Sequence, residues 1–127
     1  MTRDQVLKLV ERIGSALSAG DAKTLAGLWD MPALLLADQG ARPVTAREEV
    51  EAFFEQAIAD YRSRGIFGTR GELNGFEPLS ERLAWADITW PNLDAEGRAT
   101  GGERSFYLVR LGEDGQARIQ AALSRTA

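Results

Sequence analysis

The chain has 127 residues, 44% of them hydrophobic and 27% charged, with a formal net charge of −4. That is ordinary soluble-domain composition with enough apolar residues for one core, and it argues against disorder and against a nucleic-acid partner, which needs a basic surface. There is no Cys and no His, which excludes disulfides, thiolate nucleophiles, a Ser-His-Asp triad and His- or Cys-ligated metal sites, and leaves acid–base work to Asp, Glu, Tyr, Lys or Arg.

The first element opens on Thr2 and Gln5, the spacing of a capping box, and Val6, Leu9, Val10, Ile13 and Leu17 then recur at helical spacing. Gly20 ends this helix. Asp21 caps a second, short one with Ala22, Leu25, Ala26 and Trp29 on its buried face, which Pro32 is expected to stop. Ala33 to Asp38 reads as a short buried strand, turned by Gln39 and Gly40. Thr45 with Glu48 suggests a second capping box, opening a helix whose stripe is Val50, Phe53, Phe54, Ala57, Ile58 and Tyr61 and which Gly65 closes. Residues 66 to 79 read as a long strand kinked at Gly68, Gly71 and Gly75. Three further strands follow: Leu83 to Trp90, ended by Pro91; Ser105 to Leu111; and Ala117 to Ser124. The last two form a hairpin.

Helices first and strands afterwards make an α+β domain with the helices on one face of the sheet. No linker divides the chain, so residues 1–127 are expected to be one domain. No run is long and apolar enough to span a membrane, and Met1 to Gln5 lacks the apolar centre of a signal peptide, so a cytoplasmic protein without membrane contact is expected.

This order resembles the nuclear-transport-factor-2-like superfamily, which includes SnoaL-like proteins and ketosteroid isomerases. The resemblance rests on Ala19-Gly20-Asp21, Trp29, Thr45 to Phe54, and the hairpin from Phe106 to Gln120 with Gly115 and Ile119. It implies a cone: a strongly curved, mostly antiparallel sheet wrapped round three N-terminal helices, the cystatin-like α+β roll, with a pocket at its open end. It also implies a homodimer through the outer sheet face.

Asp38 ends an apolar run, and a carboxylate at the edge of an apolar pocket suits a general base. The resemblance puts it where the isomerases carry their Asp base; the alternative is an Asp that only makes the turn. Tyr107 falls where those enzymes hold a protonated Asp that donates to the substrate oxyanion. A phenol donates the same kind of bond, and the alternative is a half-buried strand Tyr. Ile13 stands where the isomerases have their essential Tyr, so that oxyanion hole lacks a donor. Asp87, mid-strand, is expected to pair with Arg104 or Arg110 on the outer face. Trp85 and Trp90 have opposite strand parity, so one of them faces outward. Trp29, Phe53, Phe54, Trp85 and Leu123 are the expected ligand contacts, with Phe67 and Trp90 as further aromatic candidates.

The expected function is binding of a small, largely apolar molecule in the cone, with no cofactor and no metal. One alternative is a SnoaL-like isomerase or cyclase with Asp38 as base. The other is a non-catalytic dimerisation or interaction module working through Arg104, Arg110, Arg118 and Gln120.

Overall fold

The computed structural model describes residues 1–126. Its elements are α1 (Arg3–Ala19), α2 (Ala22–Gly27), β1 (Trp29–Ala37), β2 (Gly40–Val44), α3 (Arg47–Ser63), β3 (Glu72–Pro78), β4 (Leu83–Leu93), β5 (Ala99–Leu111) and β6 (Ala117–Thr126). The fold is α+β, with N-terminal helices against one face of a curved, unclosed sheet of six strands ordered β2-β1-β6-β5-β4-β3. All pairings are antiparallel except β1 with β6.

The N-terminal signals act as read. Thr2 and Gln5 form a reciprocal capping box, Gly20 closes α1 at φ 71°, and the Asp21 carboxylate accepts from the Thr24 amide to cap α2. Val6, Leu9, Val10, Ile13, Leu25, Ile88, Val109 and Ile119 form the centre of the core. Truncating one such side chain to alanine costs about 2–5 kcal/mol.

Several expectations change, among them the strand read over residues 66 to 79, of which β3 takes only Glu72–Pro78. Trp29 opens β1 rather than ending α2, and Pro32 lies within that strand. Pro32 is tolerated because the β1–β6 ladder shifts register between Trp29 and Leu34, a break where a missing N–H costs no ladder bond. Pro91 likewise does not end β4. It pairs with Gly102 beside the shift between Pro91 and Leu93. The unread strand is β2, an edge strand bonded only to β1 and carrying Pro43. Finally, α3 begins after Ala46 with no side-chain cap. Thr45 does not cap it, and the carboxylates of Glu48 and Glu49 in the first turn favour the positive end of the helix dipole instead.

Candidate functional site

Alternation along β4, β5 and β6 sends one set of side chains inward, and the register stacks them in cross-strand rungs. Trp90 pairs with Glu103, and Ile88 with Ser105, which pairs in turn with Ser124. Tyr107 stands between Ala86 and Ala122, and Val109 between Ala84 and Ile119. Alanines therefore flank Tyr107 on both neighbouring strands, leaving space beside the phenol. The helix α3 rests on α2 and β2, so its stripe is not pressed onto the middle of the sheet. The space between is a cavity of about 550 Å³, lined by side chains from α1, α3 and the sheet's inner face, among them Ile13, Trp29, Phe54, Tyr61, Trp90 and Tyr107. This size lies in the usual range for small-molecule sites. Phe53 and Phe67, 58% and 47% exposed, belong to the same lining, so apolar surface continues outward from the cavity.

The lining also carries polar groups, with Arg42, Glu49, Arg62, Glu103 and Arg125 charged among them. Tyr107 is buried, and burial pushes its phenol pKa up; the polar hydrogens of Ser105 and Trp90 oppose this and the Glu103 charge adds to it. The hydroxyl therefore stays protonated across the physiological range. The Ser105 and Ser124 hydroxyls lie 3.0 Å apart. Tyr61 donates to Glu103 Oε1 at 2.7 Å, and its own pKa is raised, first by burial and then by that carboxylate. The indole nitrogen of Trp90 is buried with no hydrogen-bond partner, as is the Thr69 hydroxyl.

A glycine sets the aim of Trp90. A Cβ on Gly71 would lie 2.6 Å from Trp90 Cζ3 and 2.6 Å from Val10 Cγ1. The benzo edge of the indole thus fills the place of the missing side chain, and its pyrrole N–H, on the opposite edge, is directed away from Gly71.

Of the residues read from the sequence, Trp29, Phe53, Phe54 and Tyr107 line the cavity, and so do Ile13, Phe67 and Trp90. Asp38 does not. It is exposed in the turn between β1 and β2 and absent from the lining, because β1 extends one strand-length of pairing to β2 and puts its end in solvent. Trp85 and Leu123 are also corrected. Their registers, opposite Leu108 and Phe106, put them on the outer face, where Trp85 stacks on Phe106 with ring centroids 6.1 Å apart. Asp87 pairs with Arg104 there through two hydrogen bonds. That guanidinium, ahead of the opposing effect of burial and a smaller contribution from Asn74, holds the Asp87 carboxyl below its usual range.

The sequence reading missed Glu103, Tyr61 and Ser105 as site residues. Glu103 shares parity with Ser105 and Tyr107, a signal that is visible only when β5 is begun before Ser105. Glu103 and Glu49, not Asp38, are the carboxylates that line the cavity.

The sequence profile of the family described as NTF2-like protein (DUF6841) matches residues 4–127. No curated protein matches the sequence significantly. Among solved structures, an NTF-2 like protein of unknown function from Shewanella oneidensis MR-1 is similar at a TM-score of 0.76 and 18% identity, over 98% of each chain. A domain of unknown function with a cystatin-like fold from Nostoc punctiforme PCC 73102 is similar at a TM-score of 0.74 and 20% identity, over 100% of this chain and 80% of that one. A ketosteroid isomerase-like protein from Erwinia carotovora atroseptica SCRI1043 follows at 0.67 and 12%, over 99% and 98%. At these identities the likeness is one of fold.

Proposed function

We propose that this chain, which belongs to the NTF2-like family DUF6841, binds a small, largely apolar molecule inside its cone. The carrying observation is the cavity of about 550 Å³, more than half of whose lining is apolar, chiefly Ile, Leu, Val, Trp and Phe, with the charged Arg42, Glu49, Arg62, Glu103 and Arg125 among its polar groups; a concave, largely apolar wall carrying polar groups is the form of a ligand site. An interaction module without a ligand has no need to keep α3 off the sheet at the expense of core packing, since unfilled volume is destabilising. The proposal includes a homodimer through the outer sheet face, supported by the exposed Trp85 on Phe106; surface aromatics of this kind are enriched at interfaces.

The test is titration of the full chain with tetralin, a neutral bicyclic hydrocarbon, followed by methyl NMR. Expected shifts are at Leu25, Ile58 and Ile119, which line the cavity, with Leu108 and Leu83 unmoved. Absence of binding at millimolar probe, or shifts confined to the outer face, sinks the proposal.

A further inference from the structure

Half-buried Glu103 lines the cavity with one carboxylate oxygen committed and the other not. Oε1 accepts from Tyr61, and that is the side chain's one hydrogen bond among the described residues. It makes no salt bridge among them either. The other charged groups of the lining are held elsewhere. Glu49 lies in the first turn of α3, about 18 Å along the helix from Tyr61. Arg42 is carried by β2, three strands and about 14 Å along the sheet from β5. The Arg62 guanidinium packs on Gly20, where a Cβ would lie 2.6 Å from Nη2 and 3.1 Å from Cζ. That is the C-terminal end of α1, whose dipole favours a cation. The Arg125 guanidinium lies over the Phe106 ring, 5.4 Å from its centroid, and its charge bears on Asp87 on the outer face. Glu103 therefore meets a largely apolar cavity without a counter-charge, and a charge taken from water is costly until it is paired.

The surroundings of this carboxylate are aromatic. Trp90 stands directly opposite Glu103 on β4, which places their Cβ atoms about 4.5–5.5 Å apart. Tyr61 is bonded to it from α3. Rings beside an anion suit a cation, because a ring face attracts positive charge as the carboxylate does. We propose that Glu103, with Trp90 and Tyr61, forms a subsite for the ammonium group of an amine whose body is apolar. This rests on the ligand-binding reading above and deepens it by naming the head group. The Tyr61 bond is compatible with it, since the phenol donates to Oε1 and leaves Oε2 for the ligand. An ammonium has three hydrogens to donate and accepts none, and the Ser105 and Ser124 hydroxyls of the same lining add acceptor oxygens to the carboxylate. An anionic head group at this place would be repelled by Glu103.

Three probes of one skeleton separate the cases: tetralin, protonated 1-aminotetralin and tetralin-1-carboxylate, measured by calorimetry on the full chain at pH 7. The amine is expected to bind about tenfold to a hundredfold more tightly than tetralin, the gain of a hydrogen bond between charged groups, and the carboxylate more weakly than the amine. In ¹³C spectra the Glu103 side-chain carboxyl is expected to shift with the amine and not with tetralin. Glu103→Gln, which keeps an acceptor for Tyr61 and removes the charge, should bring the affinities for amine and tetralin together. The spectra of the unsubstituted chain test the subsite even where that variant fails to fold. An amine that binds no more tightly than tetralin, an unmoved Glu103 carboxyl at saturation, or an advantage that survives in Glu103→Gln overturns the subsite while leaving the ligand-binding reading in place. Tightest binding by the carboxylate overturns the cationic class. Failure of all three to bind overturns both readings.

Discussion

Gly71→Ala isolates the packing that aims Trp90. The φ of Gly71 lies outside the left-handed region, so alanine meets no backbone penalty there. The new methyl instead meets Trp90 Cζ3 and Val10 Cγ1, both at 2.6 Å, a full ångström inside normal carbon–carbon contact. Both neighbours are buried, at 5% and 2% exposure, in the main core cluster, so neither can swing into solvent. Overpacking of this kind costs about 1–3 kcal/mol. With an unfolding entropy of roughly 2.1 cal/mol/K per residue, that lowers Tm by about 4–11 °C for a chain of this length. Gly75→Ala is the internal control: its Cβ would meet only Asp87 Cβ at 3.6 Å, an ordinary contact. There the stiffer unfolded chain should leave stability unchanged or raise it by up to about 1 kcal/mol. Differential scanning calorimetry of the two variants decides. Equal Tm values for Gly71→Ala and Gly75→Ala would refute the claim that Gly71 is the seat of the indole.

Two further outcomes are expected. Asp114 accepts from the Gln116 amide and from Arg118 in the β5–β6 turn; these contacts, the Arg118 bond foremost, lower its pKa from 3.8 to about 2. A depressed carboxyl stabilises the fold above its unfolded pKa and loses that contribution as pH falls through the folded one. Asp114→Asn should thus reduce stability at pH 7, and its gap to the unsubstituted chain should close between pH 3.8 and about 2; a gap constant across that window in acid denaturation would contradict the pairing. Trp85→Glu places a charge on the outer-face aromatic patch and is expected to halve the mass seen by light scattering without lowering tetralin affinity. A variant that remains dimeric would place the interface elsewhere.

Much of the fold was legible because it is written locally. Thr2, Gly20 and Asp21 satisfy helix ends with groups a few residues away, and the parity of Trp85 against Trp90 puts them on opposite faces of β4 from sequence alone, though not which of them meets the cavity. What escaped depends on partners distant in the chain. Pro32 and Pro91 look like terminators until the neighbouring strand shows a register shift at each. β2 has little strand character of its own and exists through β1. The apolar run before Asp38 points to a pocket edge, whereas pairing with β2 carries the end of that run into water. Gly71 reads as a bend in sequence, and only the fold shows it as the space an indole occupies. The site divides the same way: Tyr107 follows from alternation, while the unpaired Trp90 nitrogen and the Tyr61–Glu103 bond follow from α3 and the sheet meeting across the cavity.

The parallel seam between β1 and β6 has a consequence in time. Trp29 aligns with Ile119 and Leu34 with Ala121, so the seam joins the first strand made to the last, and it lies inside the sheet rather than at its rim. Closing so long a loop is entropically unfavourable before its contacts repay it, and folds built on distant pairings are slow. During synthesis β1 and β2 wait as a lone hairpin, marginal in water, while β3, β4 and β5 can already associate. The edge of β5 that will receive β6 is meanwhile an open template for other chains. Commitment to the native state therefore comes late, when β6 enters between two finished halves and joins them.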